Sequence, residues 1–132
     1  MIVLDTHIWI WWMSDSMDIF SAEREALNSL DPENRPVISD ISLWEFGNLV
    51  GMGRIEIDGT IEEWLSVAAS PATVKIQPVT PAIIAEMNRL PDSFQRDPAD
   101  RLIVATARAL NLPLSTKDRK IGKSRLTKLW KP

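Results

Sequence analysis

Arg96-Asp97-Pro98-Ala99-Asp100-Arg101-Leu102-Ile103-Val104-Ala105-Thr106-Ala107 opens with two acids three residues apart and then turns apolar. Proline suits the first turn of a helix, where its missing N–H goes unused. Pro98 therefore marks a helix start and makes Asp97 the N-cap, its carboxylate free to accept from a backbone N–H. The pattern predicts a helix to about Leu110. Asp100 falls at the third helical position, from which a side chain can bond back toward the cap, although Glu or Gln has the better reach. It also shares a face with Ile103, Val104 and Ala107. An acid at the tip of a core-facing stripe points toward protein and is the first sign of a site.

Outward from this helix the chain reads as short strands alternating with helices. Ile2-Val3-Leu4 predicts a buried strand ending at Asp5, with Thr6 capping an apolar helix from His7 to about Met13. A helix apolar on most sides is buried or lies in an interface. Ser21 opens a second helix, and Asp31 to Pro36 reads as a loop. Val37-Ile38-Ser39 predicts a strand, followed by a helix from Ile41 to about Val50 that Gly51 and Gly53 stop. Glu45 sits in that helix among Ile41, Trp44 and Leu49, and a buried carboxylate there needs a partner or an ion. Thr60-Ile61-Glu62-Glu63 is a capping box for a helix to about Ala69. Val74 to Val79 alternates as a third strand, and Thr80-Pro81 caps a helix with Ile83, Ile84, Met87 and Leu90 inward. After the Asp97 helix, Pro113 to Thr116 predicts a fourth strand closed by Lys117-Asp118, and Leu126 to Trp130 an edge strand. This alternation implies an α/β fold, a parallel sheet of four to five short strands covered by helices on both faces.

The 132 residues predict one domain, residues 1–132, and 45% hydrophobic with 25% charged residues is ordinary for a soluble globular chain. No cysteine is present, which excludes disulfides and thiolate metal sites and favours a cytoplasmic setting. The start of the chain lacks the basic region of a signal peptide, and the longest apolar run, Ile8 to Met13, is too short to span a bilayer. The net charge of −3 is unevenly placed: residues 117–132 hold seven basic side chains against Asp118 alone. A basic end on an acidic body suggests contact with a polyanion.

In parallel sheets ligands bind beyond the carboxyl ends of the strands. Asp5 follows the first strand and Asp118 the fourth, while Glu45 and Asp100 lie near helix starts. Four acids are thus expected at one end of the fold. Ionised carboxylates about 4 Å apart repel by roughly 4 kcal/mol at an effective dielectric of about 20, so such a group takes up protons or binds cations. With no cysteine and one histidine, the donor set suits Mg²⁺ or Mn²⁺, ions that activate water and clamp a phosphodiester. A dehalogenase-type phosphatase would need an acid at His7, and a phospho-receiver an acid after the third strand, where the chain reads Gln77-Pro78. Gly51-Met52-Gly53-Arg54 lacks the spacing of a phosphate loop.

Leu4-Asp5-Thr6-His7, Ile41-Ser42-Leu43-Trp44-Glu45, Arg96-Asp97-Pro98-Ala99-Asp100-Arg101 and Leu114-Ser115-Thr116-Lys117-Asp118 occur in this order. Together they resemble the PIN-domain family, and within it the VapC-type toxins of bacterial toxin–antitoxin pairs. Ala99, often aromatic in relatives, is the one departure. The resemblance implies a three-layer sandwich and a Mg²⁺- or Mn²⁺-dependent endoribonuclease. It places Asp5, Glu45, Asp100 and Asp118 in the catalytic set. Asp5, Asp100 and Asp118 would be metal ligands, with Glu45 acting directly or through water. Thr116, Thr6 and Asp97 would support them, and Lys117, Arg119, Lys120 and Arg101 would hold RNA. It also implies a homodimer and a small antitoxin covering the site, with the Trp-rich first helix as part of that contact. A nucleic-acid-binding module without chemistry and a structure-specific DNA nuclease are the competing readings.

Overall fold

The computed structural model describes residues 1–132, and its sheet is built on the predicted first strand. Strand β1 (Val3–Leu4) lies between β2 (Val37–Ser39) and β4 (Leu114–Ser115), and β3 (Lys75–Gln77) flanks β2. The order is β3-β2-β1-β4 and every pairing is parallel. Val3 stands opposite both Val37 and Leu114, and Ile38 opposite Ile76. Because successive side chains leave a strand on opposite faces, this register divides the apolar residues between two cores. Ile2, Leu4 and Ile38 enter one; Val3, Val37 and Leu114 enter the other.

Helices α1 (Thr6–Met13), α2 (Ser21–Asn28), α3 (Ile41–Gly51) and α4 (Ile61–Ala68) bring Ile8, Trp9, Leu27, Phe46 and Ala68 to the first core. Trp9 is its centre. Its ring meets Phe46 and Trp64 edge-on, at centroid distances of 6.0 and 5.5 Å, and its indole N–H donates to the Ala68 carbonyl at 2.9 Å. On the other face, α6 (Pro98–Leu110) contributes Ile103, Val104 and Ala107, and α7 (Arg119–Ser124) contributes Ile121. Helix α5 (Pro81–Arg89) packs on α6.

The expected elements are present, with five differences. Asp5, not Thr6, caps α1: its Oδ1 accepts the Thr6 N–H at 2.8 Å, which frees the Thr6 hydroxyl for other partners. Helix α7 was not expected; Asp118 caps it by accepting from the N–H groups of Lys120 and Ile121. The predicted edge strand is reduced to a single bridge between Leu114 and Leu129. The loop after α2 contains a short 3-10 turn, Pro32–Asn34. Ile84 is 49% exposed rather than inward, because α5 needs only its Ile83 side in the core.

The chain runs from β1 outward to β2 and β3, then returns to place β4 on the far side of β1. The sheet therefore reverses its order between β1 and β4, and the crevice beyond their carboxyl ends is the natural site for a ligand.

Candidate active site

Asp5 and Asp118 follow the two strands at that reversal, and two helices, α3 and α6, deliver the remaining acids to it. A cleft of about 390 Å³ there is lined by Asp5, Glu45, Asp97, Asp100 and Asp118, with His7, Trp11 and Lys117 at its sides. All four acids expected from the sequence meet in it.

Hydroxyl groups hold two of the cleft's carboxylates, Asp5 and Glu45. Thr116 Oγ1 donates to Asp5 Oδ2 at 2.6 Å and accepts the Asp118 N–H at 3.0 Å, tying the ends of β1 and β4 together. Thr6 Oγ1 donates to Glu45 Oε1 at 2.5 Å. Its single proton is thereby used, so the 2.8 Å contact with Ser42 Oγ is one in which Ser42 donates. Asp118 Oδ1 is also taken up, by the cap of α7 and by the Gln95 amide at 3.3 Å. Asp97 caps α6 through the Ala99 N–H at 3.1 Å. Asp100 is different: no hydrogen bond reaches its side chain, and the reciprocal bond to the N-cap expected from its position is not formed.

These surroundings set the proton affinities. Burial pushes the Asp5 carboxyl up, against the opposing hydrogen bonds of Thr116 and Thr6. Burial raises Glu45 as well. Asp100 is raised to about 7, first by burial and then by the charges of Asp5, Asp97, Asp118 and Glu45. A half-buried carboxyl among four others, with no donor of its own, is the group most in need of a cation.

As placed, no three of these side chains form a set that could hold one metal ion. Glu45, Asp5 and Asp118 each turn an oxygen to a donor of the protein itself and keep further lone pairs for a ligand. The donor chemistry nevertheless fits a hard divalent cation: carboxylate oxygens predominate, and the chain has no thiol.

The family model of the PIN domain matches residues 2–125. The chain belongs to the PIN-domain family. Ribonuclease VapC22 of Mycobacterium tuberculosis (strain ATCC 25618 / H37Rv) is 33% identical over 124 residues, which cover 94% of this chain and 92% of that protein. Two crystal structures share the fold. VapBC2 from Rickettsia felis bound to a DNA fragment from their promoter aligns with a TM-score of 0.71 at 21% identity, over 98% of each chain. FitAcB from Neisseria gonorrhoeae aligns at 0.72 and 22%, over 99% of this chain and 97% of that one.

In this PIN domain not every expected site residue faces the cleft. Lys117 does, but Glu23 of α2 holds its Nζ at 2.5 Å, and the same ammonium lies 3.3 Å from the centroid of the Phe20 ring. Glu23 is buried, and a partner 94 positions away leaves no local signal in the sequence. Arg101, expected to hold RNA, is directed elsewhere. Its guanidinium donates over 3.3–3.5 Å to the carbonyls of Met87, Leu90, Pro91 and Gln95, fastening the α5–α6 loop to α6. Arg119 and Lys120 are exposed on α7, outside the cleft lining. Trp11 and His7 also line the cleft, and Gln95, for which the sequence carries no signal, bonds Asp118 at its edge.

Proposed function

We propose that this PIN domain, a single unit over residues 1–132, is a divalent-metal-dependent endoribonuclease acting as the toxin of a toxin–antitoxin pair. The observation that carries the reading is the convergence of Asp5, Glu45, Asp100 and Asp118 at the strand-order reversal, with Asp100 unpartnered and raised to about 7. The relationship to Ribonuclease VapC22 supports RNA as the substrate. The match to VapBC2, with the resemblance to VapC-type toxins, supports an antitoxin partner.

Asp5, Asp100 and Asp118 would hold Mg²⁺ or Mn²⁺, with Glu45 ligating directly or through water. An ion held by these residues would supply activation of a water and neutralisation of charge at the phosphodiester. The chain's own residues do the rest. Thr116 fixes Asp5, and Thr6 fixes one oxygen of Glu45, whose other oxygen makes no hydrogen bond and would orient a water. Lys117 supplies a positive charge beside the acids, its position set by Glu23 and Phe20. The Trp-rich helix α1 presents Trp11 to the cleft and is our choice for part of the antitoxin contact. The chain is proposed to be a homodimer, which light scattering would establish.

The decisive experiment compares the wild type with Asp5→Asn and Asp100→Asn on RNA and DNA in parallel. RNA cleavage and growth arrest are expected to disappear in both variants while thermal unfolding remains cooperative. Cleavage retained in both variants would sink the reading. Cleavage of DNA but not RNA would favour the DNA nuclease, and salt-sensitive RNA binding without cleavage the non-catalytic module.

A further inference from the structure

Next to the acidic cleft lies a larger cavity, about 460 Å³, between the α5–α6 loop and α7. Its floor is apolar, made by buried Phe94 with Leu126 beside it. Lys120 and Lys123 stand on its α7 side, exposed, and neither takes part in an ion pair. Gln95, which lines this cavity, donates from Nε2 to Oδ1 of Asp118, which lines the cleft, at 3.3 Å, so the two adjoin. A carboxylate only accepts, so Gln95 must present its NH₂ to Asp118, which leaves the amide oxygen free to accept from an occupant. The Arg101 guanidinium donates to the Pro91 and Gln95 carbonyls and so braces two residues of the lining.

The cleft itself is a poor host for RNA. It carries five carboxylates against Lys117, whose charge Glu23 already offsets. A polyphosphate brought to it needs holding from beside it, and Lys120 and Lys123, two unpaired positive charges of α7, line this cavity. The volume lies in the range of pockets that enclose a small ligand, about 300–1,000 Å³. Two bare lysines, an apolar floor and a free acceptor match the three parts of a nucleotide: phosphate, base face and base edge.

We infer that this cavity is the subsite for one nucleotide flanking the cleaved bond of single-stranded RNA. Lys120 and Lys123 hold its phosphate, the base rests against Phe94 and Leu126, and the Gln95 amide oxygen accepts from the base edge. The Gln95–Asp118 bond makes the subsite adjoin the acids directly, so its occupant and the cleaved phosphodiester belong to neighbouring nucleotides. The inference rests on the ribonuclease reading above. An acidic peptide of a protein partner is the rival occupant, but it has no use for a position fixed next to the chemistry.

The test uses RNA oligonucleotides that span a mapped cleavage site, trimmed one nucleotide at a time from each end. In the wild type, one trimming step should raise KM by about 3–10-fold, the scale of losing one or two phosphate contacts. In Lys120→Ala/Lys123→Ala that step should vanish, because the full-length substrate already carries the higher KM, with kcat unchanged. Lys120→Arg/Lys123→Arg should restore it. With EDTA present, the slope of log Kd against log salt should fall by about 0.7–1.4 in the alanine variant. Both lysines are exposed, so the thermal midpoint should stay near that of the wild type. A trimming step that survives in the alanine variant overturns the inference. So does loss of antitoxin affinity with RNA kinetics unchanged, which assigns the cavity to the peptide. If Asp5→Asn and Asp100→Asn both still cut RNA, or the wild type cuts none, the ribonuclease reading fails too. If cleavage depends on Asp100 but ignores both lysines, only the subsite fails.

Discussion

Asp100 is the residue in which structure and chemistry conflict most. Its carboxyl holds a proton to about pH 7, while an aspartate in the unfolded chain releases it near about 3.9. Between those values the native state binds the extra proton, so this group's contribution to stability falls as pH rises through the window. Allowing for the half of the carboxyl that stays hydrated, the loss should be about 1–2 kcal/mol between pH 5 and 8. Urea unfolding in EDTA at the two pH values measures it, and Asp100→Asn should flatten the slope by that amount while abolishing cleavage. Thr116 acts in the opposite sense on Asp5, because its hydrogen bond lowers a carboxyl that burial raises. Thr116→Val should therefore raise the Asp5 pKa and move the acid limb of the cleavage profile to higher pH. An unmoved limb would mean that Asp5 does not set it. Asp100 was legible as a site residue because its helix stripe could be counted along the chain. The true role of Arg101 was not, because its carbonyl partners lie in a loop whose path no periodicity encodes.

At the scale of elements, helix starts were easier to read than the smallest helices. Pro98 and the Thr60 box fixed α6 and α4 from local chemistry alone, and both caps are made as expected. At the end of β1 two capping residues stand side by side. Which one caps depends on where the strand releases the chain, and that is set by pairing to Val37 and Leu114. Helix α7 escaped notice because six residues with Gly122 among them carry little helical preference; the cap by Asp118 and the burial of Ile121 hold it. Helix α1 was legible as apolar, and the structure divides its surface: Ile8, Trp9 and Ile10 are buried, and Trp11 reaches the cleft. Trp9→Ala should cost about 3–5 kcal/mol, read from denaturant unfolding, because it empties the centre of a core and orphans the Ala68 carbonyl. A loss below about 1 kcal/mol would show that Phe46 and Trp64 close over the gap.

For the whole molecule, the sheet order explains why residues from positions 5 to 118 share one cleft. The parallel topology was legible in the alternation of strands and helices, and the placement of ligands at strand ends followed from it. The Glu23–Lys117 pair and the Gln95 bridge were not, because each joins segments that meet only after the sheet has formed. Cation binding should show as a stability effect of the whole fold. Mg²⁺ or Mn²⁺ should raise the thermal midpoint at pH 8 and do so less at pH 5.5, where protons compete for the same oxygens. Asp100→Asn should remove the difference between the two pH values. An equal rise at both in the wild type would place the ion elsewhere.

Asp5, Asp97 and Asp118 each cap a helix as well as lining the cleft. A sequence that had lost its chemistry would still be selected to keep a capping side chain at these three positions, Asp among the best of them, since each cap is worth about 0.5–2 kcal/mol to folding. Their persistence in a lineage therefore says little about activity. Asp100 and Glu45 cap nothing, and drift at those two positions is where a decayed gene copy would first reveal itself.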